Sequence, residues 1–289
     1  MRHEVLVIIN PKSGTRSRAG LAEAIRSVFA DTADVVYTER PGHATELARQ
    51  GAAGGYAKVV AVGGDGTINE TANGLLGTSV PMAIVPFGSG NGLARHLHIP
   101  MKRDSALLAA RDGKPVTIDC GEVDGRKFFC TMGVGFDAKV SQEFANAKRR
   151  GLLTYSRIAV GNFLHYMPQT YHIEVDGEVH DFRAFIVAVC NASQYGNNAF
   201  IAPHASMADG QLDVTVVERG NLGSLATAGV RLFTHHLDRS HIVHCLRGSS
   251  VRIVREQAGP GHIDGEALTL PAVLDIACRP GVLRVVTPA

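Results

Sequence analysis

Three glycine-rich segments in the first third of the chain carry residue types that suit phosphate groups. They are Asn10–Gly14, Gly63–Glu70 and Pro86–Gly92. Glycine lets backbone N–H groups approach a polyphosphate closely, and the positive end of a following helix favours an anion. Any one segment could equally be a tight turn between a strand and a helix, because a lone glycine pattern is weak evidence. Three in succession favour a polyphosphate site.

The segment Gly63–Glu70, with the sequence GGDGTINE, carries the most specific chemistry. The carboxylate of Asp65 could bind a metal ion or the water around a phosphate, and Thr67 and Asn69 offer a hydroxyl and an amide to phosphate oxygens. Asp65 or Thr67 could instead cap the N-terminus of a helix. The chain has neither GxxxxGK[ST] nor a GxGxxG that opens the first strand–helix unit, which excludes two common phosphate loops.

Two carboxylates flank a glycine near the other end of the chain, in Asp264-Gly265-Glu266. Phosphoryl transfer needs positioning, charge neutralisation by Mg²⁺ and a carboxylate within reach of the attacking hydroxyl. Glu266 could supply that carboxylate. The alternative is a hairpin turn with solvated acids, as in the similar run Asp176-Gly177-Glu178, and without the glycine-rich segments we would prefer it.

The elements that must position these residues begin with a βαβ pattern in the first third of the chain. Short apolar, β-branched runs of this kind form a parallel sheet that is covered on both faces. The carboxyl ends of parallel strands share one edge, so the three segments should meet in one crevice. The predicted strands are Val5–Ile9, Val35–Tyr37, Val59–Val62 and Met82–Val85, and the predicted helices are Gly20–Ala30, Ala44–Gln50 and Ile68–Leu76.

From Val116 onward the pattern changes to β-type runs, with hairpin signals at Asp124-Gly125 and Asp176-Gly177. We therefore predict an α/β plus β protein. Residues 1–115 form a Rossmann-like parallel sheet that the tail 280–289 could complete, and residues 116–289 form a β-sandwich domain. The predicted strands are Val116–Val123, Lys127–Met132, Tyr171–Val175, Glu178–Val189, Leu212–Val217, His241–Leu246, Ser250–Arg255 and Ala272–Val286, with helices at Val140–Tyr166 and Leu222–His236.

Composition narrows the compartment and the partners. A net charge of +2 with 19% charged residues makes no global field that would attract nucleic acid. The five cysteines include no CxxC pair, which argues against a disulfide framework and a thiolate metal site and favours a reducing compartment. No apolar stretch is long enough to span a bilayer, and Met1 to Glu4 lead directly into a strand rather than a signal peptide. The sequence therefore predicts a cytoplasmic protein.

Four histidines crowd one part of the chain without the pattern of a metal site. They lack a regular HxxxH pairing with an acidic partner, so a solvated turn is favoured and no metal is assigned. They are His235, His236, His241 and His244.

The order NPxSG, GGDGTxNE and PxGSGN resembles the catalytic domain shared by diacylglycerol kinases, sphingosine kinases, ceramide kinases and soluble bacterial lipid kinases. The resemblance continues through Gly133–Asp137, Ala208–Gly210 and Asp264–Glu266, and so covers nearly the whole chain. Many bacterial members have a GTxND form where this chain has Gly88–Gly92, GSGNG, which is closer to the sphingosine and ceramide kinases. The identity of the lipid is therefore left open.

The resemblance implies a fold like that of NAD kinases and diacylglycerol kinases, with ATP and Mg²⁺ as cofactors. Glu266, with Asp264 beside it, would stand where the family keeps its general base. Asp209 and the backbone carbonyls of Ser206 and Gln211 would hold a structural magnesium ion, and Asp119 would tie that region to the active site. The residues that would line the nucleotide are Asn10, Pro11, Lys12, Ser13, Gly14, Thr38, Gly64, Asp65, Gly66, Thr67, Ile68, Asn69, Glu70 and Ser89.

A lipid kinase of this type would phosphorylate a hydroxyl of diacylglycerol, a sphingoid base or another glycerolipid. It would visit the inner membrane surface as a peripheral protein, and a homodimer would be unsurprising. Lys148-Arg149-Arg150 with Arg157 could contact anionic head groups, or could equally form a solvated helix face.

Two alternatives stay open at this point. An NAD kinase shares the GGDGT loop and a similar two-domain plan, although the NPxSG start, the GSGN segment and Asp264–Glu266 favour the lipid kinase. A non-catalytic module that binds a lipid or a nucleotide could keep the same scaffold.

Overall fold

The chain forms two compact units in a computed structural model that describes residues 4–14, 19–145, 161–162 and 166–288. Unit 1 consists of Met1–Ile118 with Gly281–Ala289, and unit 2 of Asp119–Pro280. The sequence places the boundary at 115/116, whereas in the structure the chain leaves unit 1 after Ile118. It returns to unit 1 at Gly281, so the last residues belong to the first unit.

A parallel sheet forms the centre of unit 1. Its strands lie in the order β2-β1-β3-β4, and each pairs with its neighbours in parallel. All five residues of β1 are buried because helices cover both faces of the sheet. The end of β15 adds a further parallel pairing, Val285 with Met82 of β4. The strands are β1 Val5–Ile9, β2 Ala33–Tyr37, β3 Lys58–Gly63, β4 Met82–Pro86 and β15 Val273–Thr287.

The helices of unit 1 follow the strands. In α1, the buried residues Leu21, Ile25 and Phe29 recur every four residues, which places them on one face of the helix. The three predicted helices are confirmed, but α4 and α5 were not predicted. The helix α4 is only five residues long and lies within a glycine-rich segment, and α5 begins with charged residues. The helices are α1 Leu21–Phe29, α2 His43–Ala53, α3 Asp65–Leu75, α4 Gly92–His96 and α5 Arg103–Asp112.

Unit 2 is built on antiparallel strands. They pair in the order β14-β13-β7-β9-β8-β12-β15, and β10 joins β9 to β11. Large side chains such as Phe128, Tyr171 and Ile253 fill its core. The strands are β5 Lys114–Val123, β6 Arg126–Phe128, β7 Thr131–Gly135, β8 Gln169–Val175, β9 Glu178–Cys190, β10 Leu212–Glu218, β11 Val243–Gly248, β12 Ser250–Arg255, β13 Gly259–Ile263 and β14 Glu266–Leu270.

The hairpin turns at Asp124-Gly125 and Asp176-Gly177 are confirmed, and all four residues have positive φ. The single strand predicted over Lys127–Met132 is wrong. It breaks into β6 and β7 because the N–H groups between them bond to a side chain instead of a neighbouring strand. Strands β13 and β14 were not predicted; in β13 the glycines and proline at 259–261 mask the β pattern.

Unit 2 also contains the helices α6, Phe136–Ala145, and α7, Leu222–Phe233. The first begins four residues before the predicted Val140, and most of the predicted interval beyond it, with Lys148-Arg149-Arg150 and Arg157, lies outside the described residues. Within the described ranges, no helix combines the length and apolar character that a membrane crossing requires. The predicted fold class, α/β followed by β, is confirmed.

Candidate functional site

The three glycine-rich segments of unit 1 meet at the carboxyl ends of β1, β3 and β4, as predicted. The backbones approach so closely that side chains would not fit. A Cβ atom added at Gly14 would stand 1.8 Å from the carbonyl oxygen of Phe87, and one added at Gly88 would stand 2.7 Å from Cα of Gly64. The glycines therefore allow the segments to pack against one another, a role that any one segment alone would not reveal.

Asp65 ties the second segment to the third. It lies in the first turn of α3, and its two carboxylate oxygens accept hydrogen bonds from the backbone N–H groups of Asn91 (2.9 Å) and Gly92 (2.8 Å). Burial raises the pKa of this carboxyl, and the hydrogen bonds from Asn91 and Gly92 partly oppose that shift. Asp65 is thus not the N-cap of its own helix, a position that Gly64 fills; it holds the start of α4.

Asn10 ties the first segment to the second. Its amide nitrogen donates to the hydroxyl of Thr67 at 3.0 Å, and its amide oxygen accepts the N–H of Lys12 at 2.9 Å. Thr38 lies beside this segment, because its N–H donates to the carbonyl of Ile9 at the end of β1. Hydrogen bonds within unit 1 thus fix the predicted nucleotide-lining residues of separate strands at one edge of the sheet.

Several groups at this edge face solvent and suit a phosphate. Lys12, Gly66 and Ser89 are exposed, and Ser13 is half-buried. The first hydrogen bond within α3 runs from the N–H of Ile68 to the carbonyl of Gly64, so the earlier N–H groups of the first turn are directed out of the helix start. An ammonium group, hydroxyls and a helix start together make an anion-binding surface.

Other residues of the predicted set have structural partners. Ile68 is buried in the core, and Asn69 accepts from the amide of Asn73 at 2.8 Å. The carboxylate of Glu70 accepts the N–H of Ala44 at 3.1 Å and so holds the start of α2. These contacts give the last three residues of the GGDGTINE segment a part in packing the helices behind the loops.

In unit 2 the two predicted catalytic acids have different surroundings. Asp264 is the first residue of the turn between β13 and β14, with φ 46°, followed by Gly265 with φ 81°. Its carboxylate accepts the backbone N–H groups of Phe129, Cys130 and Thr131 at 2.8, 2.8 and 3.0 Å. Glu266, the first residue of β14, is exposed. Asp264 therefore anchors the hairpin, and Glu266 is the acid of the pair that is open to a reactant.

A buried polar network that the sequence did not predict lies beside this hairpin. Asp137 of α6 accepts a hydrogen bond from the hydroxyl of Tyr195 at 2.8 Å and lies 3.0 Å from Nε2 of His262 on β13. His262 is 2% exposed, and its Nδ1 has no hydrogen-bond partner among the residues that the structure describes. The sequence signal for this network is the run Gly133–Asp137. Glycine is needed at position 133 because a Cβ atom there would lie 2.5 Å from the His262 ring.

At the predicted magnesium site, the guanidinium of Arg247 already pairs with the acidic residue, Asp209. One carboxylate oxygen of Asp209 accepts the N–H of Gln211 at 3.0 Å, and the other pairs with the guanidinium of Arg247. Asp119 accepts the N–H of Gly210 at 2.8 Å, which ties the loop to β5. Within the described ranges, no cluster of three or more His, Cys, Asp or Glu residues could hold a metal ion. Magnesium at Asp209, Ser206 and Gln211 stays a prediction that this geometry does not favour.

The crowded histidines have separate partners. His241 lies 3.1 Å from the hydroxyl of Ser224, and His244 lies 3.3 Å from the carboxylate of Glu218. His235 and His236 are exposed. The four rings are thus distributed over different contacts.

Comparison with known proteins identifies the family. Residues 4–123 match the diacylglycerol kinase catalytic domain, and residues 130–287 match the YegS C-terminal NAD kinase beta sandwich-like domain. The chain therefore belongs to the diacylglycerol kinase catalytic-domain superfamily, and it is a lipid kinase. Membership in a kinase family implies the use of ATP.

Curated relatives agree with this assignment, and a solved structure shares the fold. The diacylglycerol kinase of Mycobacterium tuberculosis (strain H37Rv) is 28% identical, with 99% of this chain and 97% of that protein covered. The diacylglycerol kinase of Bacillus subtilis (strain 168) is 28% identical, with 78% and 76% covered. A crystal structure of a diacylglycerol kinase from Bacillus anthracis str. Sterne shares the fold, with a TM-score of 0.75, 21% identity and 99% and 97% of the two chains covered.

Proposed function

We propose that this lipid kinase transfers the γ-phosphoryl group of ATP, in the presence of Mg²⁺, to a hydroxyl of diacylglycerol or a related lipid. The observation that carries the proposal is the meeting of three glycine-rich segments at one sheet edge, where Gly14 packs against Phe87 and Gly64 against Gly88. The names of the curated relatives support diacylglycerol as the first substrate to test.

Unit 1 supplies the triphosphate site in this proposal. The exposed ammonium of Lys12, the hydroxyls of Ser13 and Ser89 and the N–H groups at the start of α3 bind phosphate oxygens. Asp65 and Asn10 orient these groups through the hydrogen bonds that join the segments, and so fix them before the nucleotide arrives. A magnesium ion bound with ATP would neutralise charge on the phosphates.

Unit 2 supplies the base. The exposed carboxylate of Glu266 takes the proton of the lipid hydroxyl as the hydroxyl oxygen attacks the γ-phosphorus, and the bond from that phosphorus to the β–γ bridging oxygen breaks to release ADP. Asp264 has a positioning role in this proposal, because three backbone N–H groups hold its carboxylate and with it the turn from which Glu266 extends. This assigns the two acids one catalytic and one positioning role.

A direct test offers the full chain γ-labelled ATP and Mg²⁺ with dispersed lipids and, separately, with NAD. The lipid panel contains a diacylglycerol, a monoacylglycerol, a sphingoid base and a ceramide. We expect label in the lipid extract, mostly in the product of diacylglycerol. Label in NADP alone would establish the NAD kinase alternative. Tight ATP binding without transfer to any acceptor would instead point to a non-catalytic module.

A further inference from the structure

The fully exposed positions of α7 carry no charged residue, although they lie on the surface of unit 2; Arg231 of the same helix is half-buried and donates to the carbonyl of Arg239. The helix begins at an Asn221 cap and buries its other face, with Leu225, Ala228 and Leu232, in a core cluster of the unit. We name the exposed stripe the α7 face. It consists of Gly223, Ala226, Thr227, Val230 and Phe233, which recur at helical spacing.

The composition of the α7 face is unusual for a helix surface that is exposed to water. A helix that packs one side on a protein core usually carries charged and polar side chains on the other. Here Val230 is 64% exposed and Phe233 is 51% exposed, three residues apart on the same side of the helix. Single exposed apolar residues are common, but two large ones side by side on a face without charge indicate a surface that is covered in use.

Basic residues frame the α7 face. Arg219 precedes the helix, Arg239 follows it, and both are exposed. Between them Asp238 is the only acidic residue, and its carboxylate lies 3.5 Å from the ring of His204. The guanidinium of Arg219 also lies 3.6 Å from the sulfur of Met167, another apolar side chain that is 60% exposed. The surroundings therefore combine exposed apolar side chains with exposed basic side chains.

We propose that the α7 face rests on an anionic lipid bilayer, with Val230 and Phe233 inserted at the boundary of head groups and acyl chains and Arg219 and Arg239 against the head groups. This deepens the proposed function and depends on it, because it names the surface from which the lipid substrate is taken. Apolar insertion and basic attraction are the two contributions that hold a peripheral protein on a membrane.

Charge decides between a bilayer and a second copy of the chain. Two α7 faces packed on each other would bring arginines of both copies together around an interface that offers few acids to pair with them. An anionic bilayer supplies the missing negative charge over the whole area. The small residues at 223, 226 and 227 also let the first half of the helix lie close to a flat surface.

Vesicle sedimentation tests the apolar contribution. The full chain is mixed with vesicles of phosphatidylcholine and phosphatidylglycerol in equal parts, and the bound fraction is compared for wild type and Val230→Gln/Phe233→Gln. We expect the double variant to bind about tenfold more weakly or worse, since it loses two large apolar side chains from the inserted face. Val179→Gln is the matched control, because Val179 is also 64% exposed, on β9. It should bind as the wild type does.

The charge contribution has its own control. Arg219→Gln/Arg239→Gln should weaken binding to the anionic vesicles by about fivefold for each arginine, and binding should fall with added salt. Arg126→Gln/Arg252→Gln makes the same change in net charge elsewhere on unit 2 and should have little effect. Equal effects of both pairs would contradict the location, and equal wild-type binding to pure phosphatidylcholine would contradict the charge argument.

The outcomes separate this inference from the proposed function. Sedimentation does not require catalysis, so it measures membrane binding by the α7 face even if the substrate is not diacylglycerol. With a short-chain, water-soluble diacylglycerol, Val230→Gln/Phe233→Gln should keep wild-type kcat/KM, and with diacylglycerol in vesicles it should lose activity in proportion to binding. Wild-type binding by the double variant overturns the inference, as does a wild-type dimer that the double variant converts to a monomer.

Discussion

The carboxylate of Asp264 accepts a hydrogen bond from the backbone N–H of Phe129 at 2.8 Å, although 135 residues separate them. Two further N–H groups, of Cys130 and Thr131, converge on the same carboxylate. The turn that carries Glu266 is thereby fixed to the link between β6 and β7. Asp264 therefore holds in place the turn that carries Glu266, the proposed general base.

We expect Asp264→Asn to destabilise the protein by about 1.5–3 kcal/mol, because hydrogen bonds to a charged acceptor are lost and the amide group places a donor opposite an N–H. Urea denaturation measures the change. Asp176→Asn is the control, since Asp176 accepts the N–H groups of Ser249 and Ser250 at another hairpin. It should cost similar stability but leave turnover unchanged, whereas Asp264→Asn lowers turnover at temperatures where it remains folded. Equal activity of the two variants would argue against a positioning role for Asp264.

Glu266→Gln should lower turnover by about 10²–10⁴-fold while leaving the affinity for ATP near that of the wild type, because a general base contributes to the chemical step. Labelled phosphate transfer and nucleotide titration measure the two quantities. Glu178→Gln, in the similar run Asp176-Gly177-Glu178, should behave as the wild type. Full activity of Glu266→Gln would place the base elsewhere.

Gly14→Ala should weaken ATP binding by more than tenfold, because its methyl group would overlap the carbonyl of Phe87 and push two segments apart. Gly42→Ala separates this effect from backbone strain. Both glycines have positive φ, 73° and 79°, but the space around Gly42 is open. We expect Gly42→Ala to cost about 1–2 kcal/mol of stability and to keep its affinity for ATP. A similar loss of ATP affinity in both variants would mean that backbone strain alone explains the effect of Gly14→Ala.

The protein should lose stability on mild acidification through His96 of α4. Burial, with the charge of His98 adding to it, lowers the pKa of His96 to about 4. Because the folded pKa lies below the unfolded value of 6.5, the contribution is present above pH 6.5 and is lost as the pH falls toward 4. We expect the free energy of unfolding, measured by urea denaturation, to be about 1–3 kcal/mol lower at pH 4 than at pH 6.5.

His96→Gln should remove that part of the pH dependence. His98→Asn is the control, since His98 is exposed and its φ of 56° suits asparagine. An unchanged slope in His96→Gln would show that another group titrates.

Mg²⁺ without nucleotide should leave the thermal unfolding of the wild type unchanged, because Arg247 already pairs with Asp209. Arg247→Gln frees that carboxylate oxygen and should make unfolding sensitive to Mg²⁺. Arg252→Gln breaks an exposed ion pair with Asp275 and serves as the control. A shift by Mg²⁺ in the wild type that Asp209→Asn abolishes would establish the metal site that the family resemblance implies.

Patterns of buried, β-branched residues were sufficient to predict β1, β3 and β4, because strands covered on both faces are apolar throughout. The glycine-rich segments were predicted to meet for a topological reason, the shared edge of a parallel sheet, and they do. The predicted boundaries of β1 and β12 are the observed ones. Local patterns are reliable where burial is continuous along the chain.

Contacts between distant residues could not be predicted in this way. The break between β6 and β7 depends on Asp264, and the network of Asp137, Tyr195 and His262 joins three separate parts of unit 2. The residues next to Asp65 in the sequence predict a metal ligand or a helix cap. Its hydrogen-bond donors, however, lie 26 and 27 residues away along the chain. Where a contact between residues distant in the sequence determines the role of a side chain, that role can be found only from the structure.

The return of the chain to unit 1 at Gly281 bears on how the protein is made. Unit 2, Asp119–Pro280, is continuous, so during synthesis it can fold as soon as it has left the ribosome. Unit 1 must wait for the strand that pairs with β4 through Val285. Unit 1 therefore completes its sheet last, and a nascent chain that stops before Gly281 carries an open sheet edge, where chaperones or neighbouring chains can bind.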